Sequence, residues 1–201
     1  MVFSDFLCPW CYVGFLRLGD IAREEGDAVD WQWRSYLLRP EPEPRPRDAF
    51  VEYTRSWERP GSVEPRARFT TWAADDPPPS HSFPAALAAK VAATLGPGAA
   101  EAYRAVLFPA YFTDNRTISD RSVLVELAAE AGLERAAFEQ AWRDHEDALL
   151  KEVWTDHATA VQSGIQGVPA VVVNRRWLLS GAVAADEYRT VIAQAREAAD
   201  A

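Results

Sequence analysis

The chain has 201 residues, 48% of them hydrophobic and 25% charged, which suits one domain, or one domain carrying a large insertion, with a core that needs no disulfide staple. That composition excludes a disordered or fibrous chain, and no apolar run approaches the ~18 residues of a membrane span. Twenty-one basic against thirty acidic residues leave a net charge of −9, the wrong sign for the basic footprint of a nucleic-acid binder.

In chain order, Val2 to Leu7 reads as a short strand, and from Cys11 onward the pattern turns helical, with Tyr12, Phe15, Leu16, Gly19 and Ala22 on one face and Gly26 as the stop. Trp31 to Leu38 is aromatic-rich and reads as a second strand, completing a βαβ unit within about 38 residues. Pro40, Pro42, Pro44 and Pro46 then forbid a regular helix and predict an extended connector over 40–47. Residues 48–75 are weakly patterned. From Phe83 to Gly164 the reading is helical, with Ser119 as an N-cap and Gly132 as a stop. Phe138, Ala141, Trp142 and His145 form one stripe, and Leu150, Val153, Trp154, His157 and Val161 form the next helix's stripe. Ala170–Val173 and Trp177–Ser180, separated by Asn174-Arg175-Arg176, predict a β-hairpin, and Tyr188, Val191, Ile192 and Ala195 a closing helix. The order β-α-β, helical block, β-β-α implies an α/β fold: a mixed sheet closed by the two chain ends (1–38 and 164–201), with 39–163 as a mainly helical insertion packed on it.

Both cysteines fall in Cys8-Pro9-Trp10-Cys11. Two cysteines cannot staple a secreted scaffold or complete a four-cysteine zinc site. The three histidines, His81, His145 and His157, lack ligand spacing, and those on apolar stripes are more simply core or interface residues. Pro9 suits the first helical position, which puts the Cys8 sulfur at the unpaired N–H groups and positive end of the helix, an environment that favours thiolate. Cys11 lies one turn on, within reach and more sheltered. An exposed attacking thiol and a buried resolving thiol are what two-step thiol–disulfide exchange requires.

Proline at 169, directly before the β-branched run 170–173, removes a ladder donor; a cis Val168–Pro169 bond in a tight turn accounts for it, as an ordinary trans turn also would. Such a turn would leave the N–H and C=O of Val168 free to pair with an extended substrate. Asp5 is a candidate for proton handling near Cys11, or else a hydrogen-bonding cap. Trp10, exposed by position, can pack on substrate. Arg39 could attract an acidic group such as a glutathione carboxylate, or be a plain surface arginine.

CPWC followed by Tyr12-Val13-Gly14, with Gly167-Val168-Pro169-Ala170 before a hairpin and Ser180-Gly181-Ala182 after it, resembles the DsbA family of thioredoxin-fold proteins, nearest to its cytoplasmic FrnE-like subgroup. The resemblance implies a thioredoxin fold with a helical insertion, Cys8 as nucleophile, Cys11 as resolving thiol and Pro169 as a cis-proline facing them. It implies no cofactor beyond glutathione as a redox partner, and protein or small-molecule thiols or disulfides as substrates. Residues 1–7 read as a strand and not as a secretory leader, so a cytoplasmic location is expected. Two further readings are a glutathione-dependent isomerase or transferase of the 2-hydroxychromene-2-carboxylate isomerase or kappa class, which resemble this chain but place a serine at the Cys8 position, and a non-enzymatic peptide-binding folding helper. The uncharged Pro-Trp pair between the cysteines predicts a potential between the strong oxidants and the reducing thioredoxins.

Overall fold

The computed structural model describes residues 1–199. β1 (Val2–Ser4) leads through a turn into α1 (Pro9–Glu25), and β2 (Trp33–Ser35) follows. The helical block comprises α2 (Arg47–Thr54), α3 (Glu58–Val63), α4 (Phe83–Ala93), α5 (Ala99–Phe112), α6 (Arg121–Glu130) and α7 (Arg135–Gln162). The chain closes with β3 (Ala170–Val173), β4 (Trp177–Ser180) and α8 (Ala185–Glu197). The four strands form one mixed sheet in the order β2-β1-β3-β4, with β1 parallel to β2 and antiparallel to β3. This is the thioredoxin-like sheet of the sequence reading, with the helical residues inserted between β2 and β3.

The pleat of β1 divides the core. Val2 and its partner Val171 pack with Leu18 and Ile21 of α1 and with Tyr188 and Ile192 of α8. Phe3 and its partner Ala170 face the other way, against Ala160 of α7 and Ile165. No helix among the described residues is long and apolar enough to cross a membrane.

Both N-terminal strands are shorter than their β-rich runs. β1 stops at Ser4 because Asp5 turns the chain: its Oδ1 accepts from Leu7 N at 2.6 Å, and its carbonyl accepts from Cys8 N at 3.1 Å. β2 then loses its ladder partner. Beyond Tyr36, whose N–H still reaches Ser4 O, the next donors are taken by side chains, Leu37 N by His157 Nδ1 at 3.1 Å and Leu38 N by Asp5 Oδ2 at 2.6 Å.

The face of α1 is also broader than one stripe. Cys11, Val13, Gly14, Leu18 and Ile21 are buried while Phe15, Leu16, Gly19 and Ala22 are half-buried, because the helix packs both on the sheet and against the insertion. The predicted pair of helices over 135–162 is one continuous helix of 28 residues, with no Gly or Pro to interrupt it. Its buried seam runs Phe138, Ala141, Trp142, Leu149, Val153, Asp156, Ala160, so His145, Trp154 and Val161 of the predicted stripes are exposed. Asp120, not Ser119, caps α6 by accepting from Ser122 N at 2.8 Å, while the Ser119 hydroxyl accepts from Ser80 N.

The weakly patterned region folds as well. Phe50, Trp57, Phe69 and Trp72 converge on Tyr111 and Phe112 of α5, with Trp57 and Phe112 centroids 4.9 Å apart. Spacing within 48–75 carries no period because its aromatics serve a cluster assembled from short pieces and an extended strap, not one face of a long helix.

A buried ion cluster ties the block to the edge of the sheet. Asp156 of α7, 4% exposed, receives Lys90 Nζ of α4 at 2.6 Å, Arg34 Nη1 of β2 at 3.1 Å and the Ser35 N–H at 3.0 Å. Removing one partner from such a site strands the others without compensation. Asp156→Ala should therefore lower unfolding stability by about 3–5 kcal/mol in urea titrations; a loss below about 1 kcal/mol would show that the cluster is not holding the block to the sheet.

Candidate functional site

Cys8 is the N-cap of α1, with extended backbone (φ −92°, ψ 114°), and Pro9 occupies the first helical turn. This placement follows from the Asp5 turn, which ends β1 and delivers the next residues directly to the helix start. The Cys8 sulfur accepts from Cys11 N at 3.3 Å, and its carbonyl accepts from Cys11 N and Tyr12 N at 3.0 and 3.3 Å. The sulfur thus faces the donors that a helix N-terminus leaves unpaired.

Both thiols are free. Cys8 is 5% and Cys11 1% exposed, so the expected contrast of an exposed and a sheltered thiol is nearly absent. The insertion accounts for this: Cys8 and Cys11 sit in the same apolar cluster as Tyr12, Phe108 and Phe112, with the Tyr12 ring stacked 5.4 Å from Phe108. Burial, and then the neighbouring Cys8 sulfur, push the Cys11 thiol well above its ordinary range, which keeps it protonated.

The second half of the site arrives from 160 residues away. The antiparallel pairing of β1 with β3 brings the loop before β3 over the start of α1. Cys8 Sγ donates to Val168 O at 3.2 Å, and the Val168–Pro169 peptide bond is cis. The Val168 carbonyl is therefore occupied by the thiol and not free as the sequence reading expected, whereas the Val168 N–H donates to no described backbone carbonyl. Pro169 is buried, and its carbonyl receives the Gly181 N–H at 2.8 Å, which locks the loop to the end of the hairpin.

Gly14 is a contact that the sequence reading missed. A Cβ added there would stand 3.1 Å from Pro169 Cγ and 3.4 Å from Pro169 Cβ, so any larger residue would press on the loop where it lies against α1. Its signal was present, a glycine in the second turn of a helix with no conformational need for one. Arg17 adds a second tie, donating to Ala182 O, Val183 O and Val63 O at 2.9–3.0 Å and pairing with Glu64 at 3.3 Å.

The other singled-out residues divide. Trp10 is half-buried, packed on the main apolar cluster with the Arg59 guanidinium 5.8 Å from its ring centroid. The weakly patterned region thus supplies a neighbour to the motif. Arg39 is occupied, donating to Ser80 O at 3.2 Å and pairing with Glu43 at 3.1 Å. Both carboxylate oxygens of Asp5 accept backbone N–H groups, and burial raises its pKa to about 6, opposed by hydrogen bonds from Ser82, Leu38 and Leu7. Among the described residues no three His, Cys, Asp or Glu side chains converge as a metal-ligand set.

The chain is similar to several solved structures. A probable DsbA oxidoreductase from Streptomyces coelicolor is 28% identical, with a TM-score of 0.73 over 98% of this chain and 88% of that one. The cytosolic disulfide reductase DsbM from Pseudomonas aeruginosa, in a structure with glutathione, is 22% identical with a TM-score of 0.66 over 99% and 96%. A 2-hydroxychromene-2-carboxylate isomerase shares the fold at 15% identity and a TM-score of 0.65, over 99% and 97%. The model of the DSBA-like thioredoxin domain matches residues 1–193, and with the mixed sheet, the helical insertion and the motif at the start of α1 in place, the chain belongs to the DSBA-like thioredoxin-domain family.

Proposed function

We propose that the protein is a thiol–disulfide oxidoreductase in which Cys8 attacks and Cys11 resolves. The observation that carries this reading is the position of the Cys8 sulfur, at the N-terminus of α1 and 3.2 Å from the Val168 carbonyl, with Cys11 one turn behind it. In the reductive direction the Cys8 thiolate attacks one sulfur of a substrate disulfide. A Cys8–substrate mixed disulfide forms, and the departing substrate thiolate takes up a proton. Cys11 then loses its proton and attacks the Cys8 sulfur, releasing the second substrate thiol and leaving a Cys8–Cys11 disulfide. Two electrons pass to the substrate, and two equivalents of a thiol such as glutathione return them and leave as their own disulfide; the oxidative direction is the same sequence reversed.

The elevated proton affinity of Cys11 fits its role, since it holds its proton until the mixed disulfide removes the competing Cys8 sulfur. Pro9, Trp10, Val168 and Pro169 form the rim that a substrate would meet. The Val168 N–H is the open backbone donor there, and substrate can replace the thiol at the Val168 carbonyl. Substrates of this reading are protein or small-molecule disulfides, and the location that suits a glutathione-coupled cycle is the cytoplasm. The isomerases and transferases that this chain resembles place a serine at the Cys8 position; the Cys8–Cys11 pair found here favours exchange.

Cys8→Ser should abolish glutathione-coupled reduction of a model disulfide such as insulin, while Cys11→Ser should accumulate a mixed disulfide on Cys8 detectable by mass. Full activity in Cys8→Ser would contradict the reading.

Gly14→Ala tests the rim. In an open helix the change would stabilise by about 1 kcal/mol, but crowding Pro169 costs about 1–3 kcal/mol. The expected result is a net loss of stability and slower exchange at Cys8. A gain of about 1 kcal/mol would show that the loop yields freely.

We assign Asp5 a positioning role, since its two oxygens hold the Leu7 and Leu38 amides. With its folded pKa raised to about 6 from 3.8, the folded state binds more protons than the unfolded chain between those values. Asp5 therefore subtracts stability as pH rises through that window. Asp5→Asn should flatten that part of the stability profile while leaving the pH profile of thiol exchange unchanged in shape; loss of a limb near pH 6 from the exchange rate would instead make Asp5 a proton carrier.

A further inference from the structure

One face of α1 is met from two sides. Trp10, Gly14 and Arg17 follow at intervals of four and three residues, so they lie in one row along the helix. The insertion meets this row at Trp10, where the Arg59 guanidinium of α3 stands 5.8 Å from the ring centroid. The loop before β3 meets it at Gly14, where an added Cβ would stand 3.1 Å from Pro169 Cγ. The two flanks of the thiol rim are therefore carried by segments far apart in the chain.

Arg17, one turn beyond Gly14, joins those segments. Its side chain is 12% exposed. Nη1 donates to Ala182 O at 2.9 Å and to Val183 O at 3.0 Å, in the turn whose Gly181 N–H holds the Pro169 carbonyl at 2.8 Å. Nη2 donates at 3.0 Å to Val63 O, the last carbonyl of α3, and Nε donates at 3.3 Å to Glu64 Oε2 just beyond it. All three guanidinium nitrogens are used, two toward α3 and one toward the anchor of the loop. A planar fork of donors fixes both distance and angle between the groups it binds, which a single ammonium does not. Arg17 lies about 13 Å along the helix from Cys8, so it acts on the rim and not on the sulfur. Glu64 is also held by Arg66 Nε at 2.8 Å, and Arg66 by Asp20 of α1 at 2.8 Å, so replacing Arg17 strands no buried anion.

We propose that Arg17 is a positioning residue that sets the gap between α3 and the Val168–Pro169 loop, and through that gap the affinity for polypeptide disulfides. The inference rests on the oxidoreductase reading. An extended segment of a protein substrate spans the rim, pairing with the Val168 N–H on one side and packing on Trp10 at the other, so its binding depends on the gap. A small disulfide presents its sulfur to Cys8 without reaching both sides.

Steady-state kinetics of glutathione-coupled reduction, with insulin as the polypeptide disulfide and 2-hydroxyethyl disulfide as the small one, test this in the intact protein. Arg17→Met should raise KM for insulin by about fivefold or more with kcat within about twofold, and move KM for the small disulfide by less than about twofold. Arg17→Lys keeps the charge but gathers its donors on one atom, so it should behave like Arg17→Met; it also carries the same comparison if Arg17→Met does not fold. Amide hydrogen exchange gives a second readout: the Gly181 N–H should exchange about tenfold faster or more in either variant, while the Val172 N–H, bonded to Met1 O at 2.8 Å, keeps its rate. An unchanged KM for insulin, equal losses on both substrates, full recovery in Arg17→Lys, or an unchanged Gly181 rate would each overturn the assignment. Wild-type protein inactive on both disulfides would overturn the oxidoreductase reading and this inference with it, whereas active wild type with unaltered variants overturns the inference alone.

Discussion

The site depends on the pairing of β1 with β3. That antiparallel contact joins residues about 170 apart in the chain, and it is what carries the Val168–Pro169 loop onto the start of α1. Cys8 alone at a helix N-terminus is a cysteine with a favourable field. Only with the loop in place does it acquire a hydrogen-bond acceptor, a neighbouring backbone donor and a wall. Gly14 sets how closely the two halves meet, and the Pro169–Gly181 hydrogen bond and Arg17 hold the loop from its other side.

The helical insertion does more than cap the sheet. Its aromatic cluster continues directly into the first turns of α1, so the motif is roofed by Phe108, Phe112 and Phe69 through Tyr12. This explains why Cys8 is as buried as it is, and why the segment 48–75 has side chains beside Trp10. On the opposite flank the insertion meets the sheet through the Asp156 ion cluster and a chamber lined in part by Arg104. The same block therefore roofs the thiol motif and walls the distant chamber beside β2, with α5 contributing Phe108 to one and Arg104 to the other.

Much of this was legible in the sequence. Proline following cysteine fixed the helix start, the β-branched run 170–173 with its break at Asn174 fixed the hairpin, and the order of elements implied the mixed sheet. What local pattern could not reveal was anything settled by a distant partner. The lengths of β1 and β2 are set by Asp5 and His157, side chains that take the ladder's donors. The stripe along α7 was misphased because Asp156, a charged residue, is buried by ion pairing while Trp154 and Val161 are left outside. The burial of Cys8 likewise comes from residues 60 to 100 positions away. Gly14 was visible as a residue but had no local reason, and its reason is Pro169.

The central claim, that Cys8 and Cys11 form one reversible two-electron couple, is tested most directly by a glutathione redox titration of the purified protein, with the thiols trapped by alkylation and weighed. The account predicts a single transition between the dithiol and an intramolecular disulfide, at a potential between about −270 mV for a thioredoxin-like reductant and about −120 mV for a strong oxidant. Failure to form the internal disulfide, or a stable glutathione adduct on Cys8 at every ratio, would contradict it and move the chemistry toward glutathione-dependent catalysis on a small molecule.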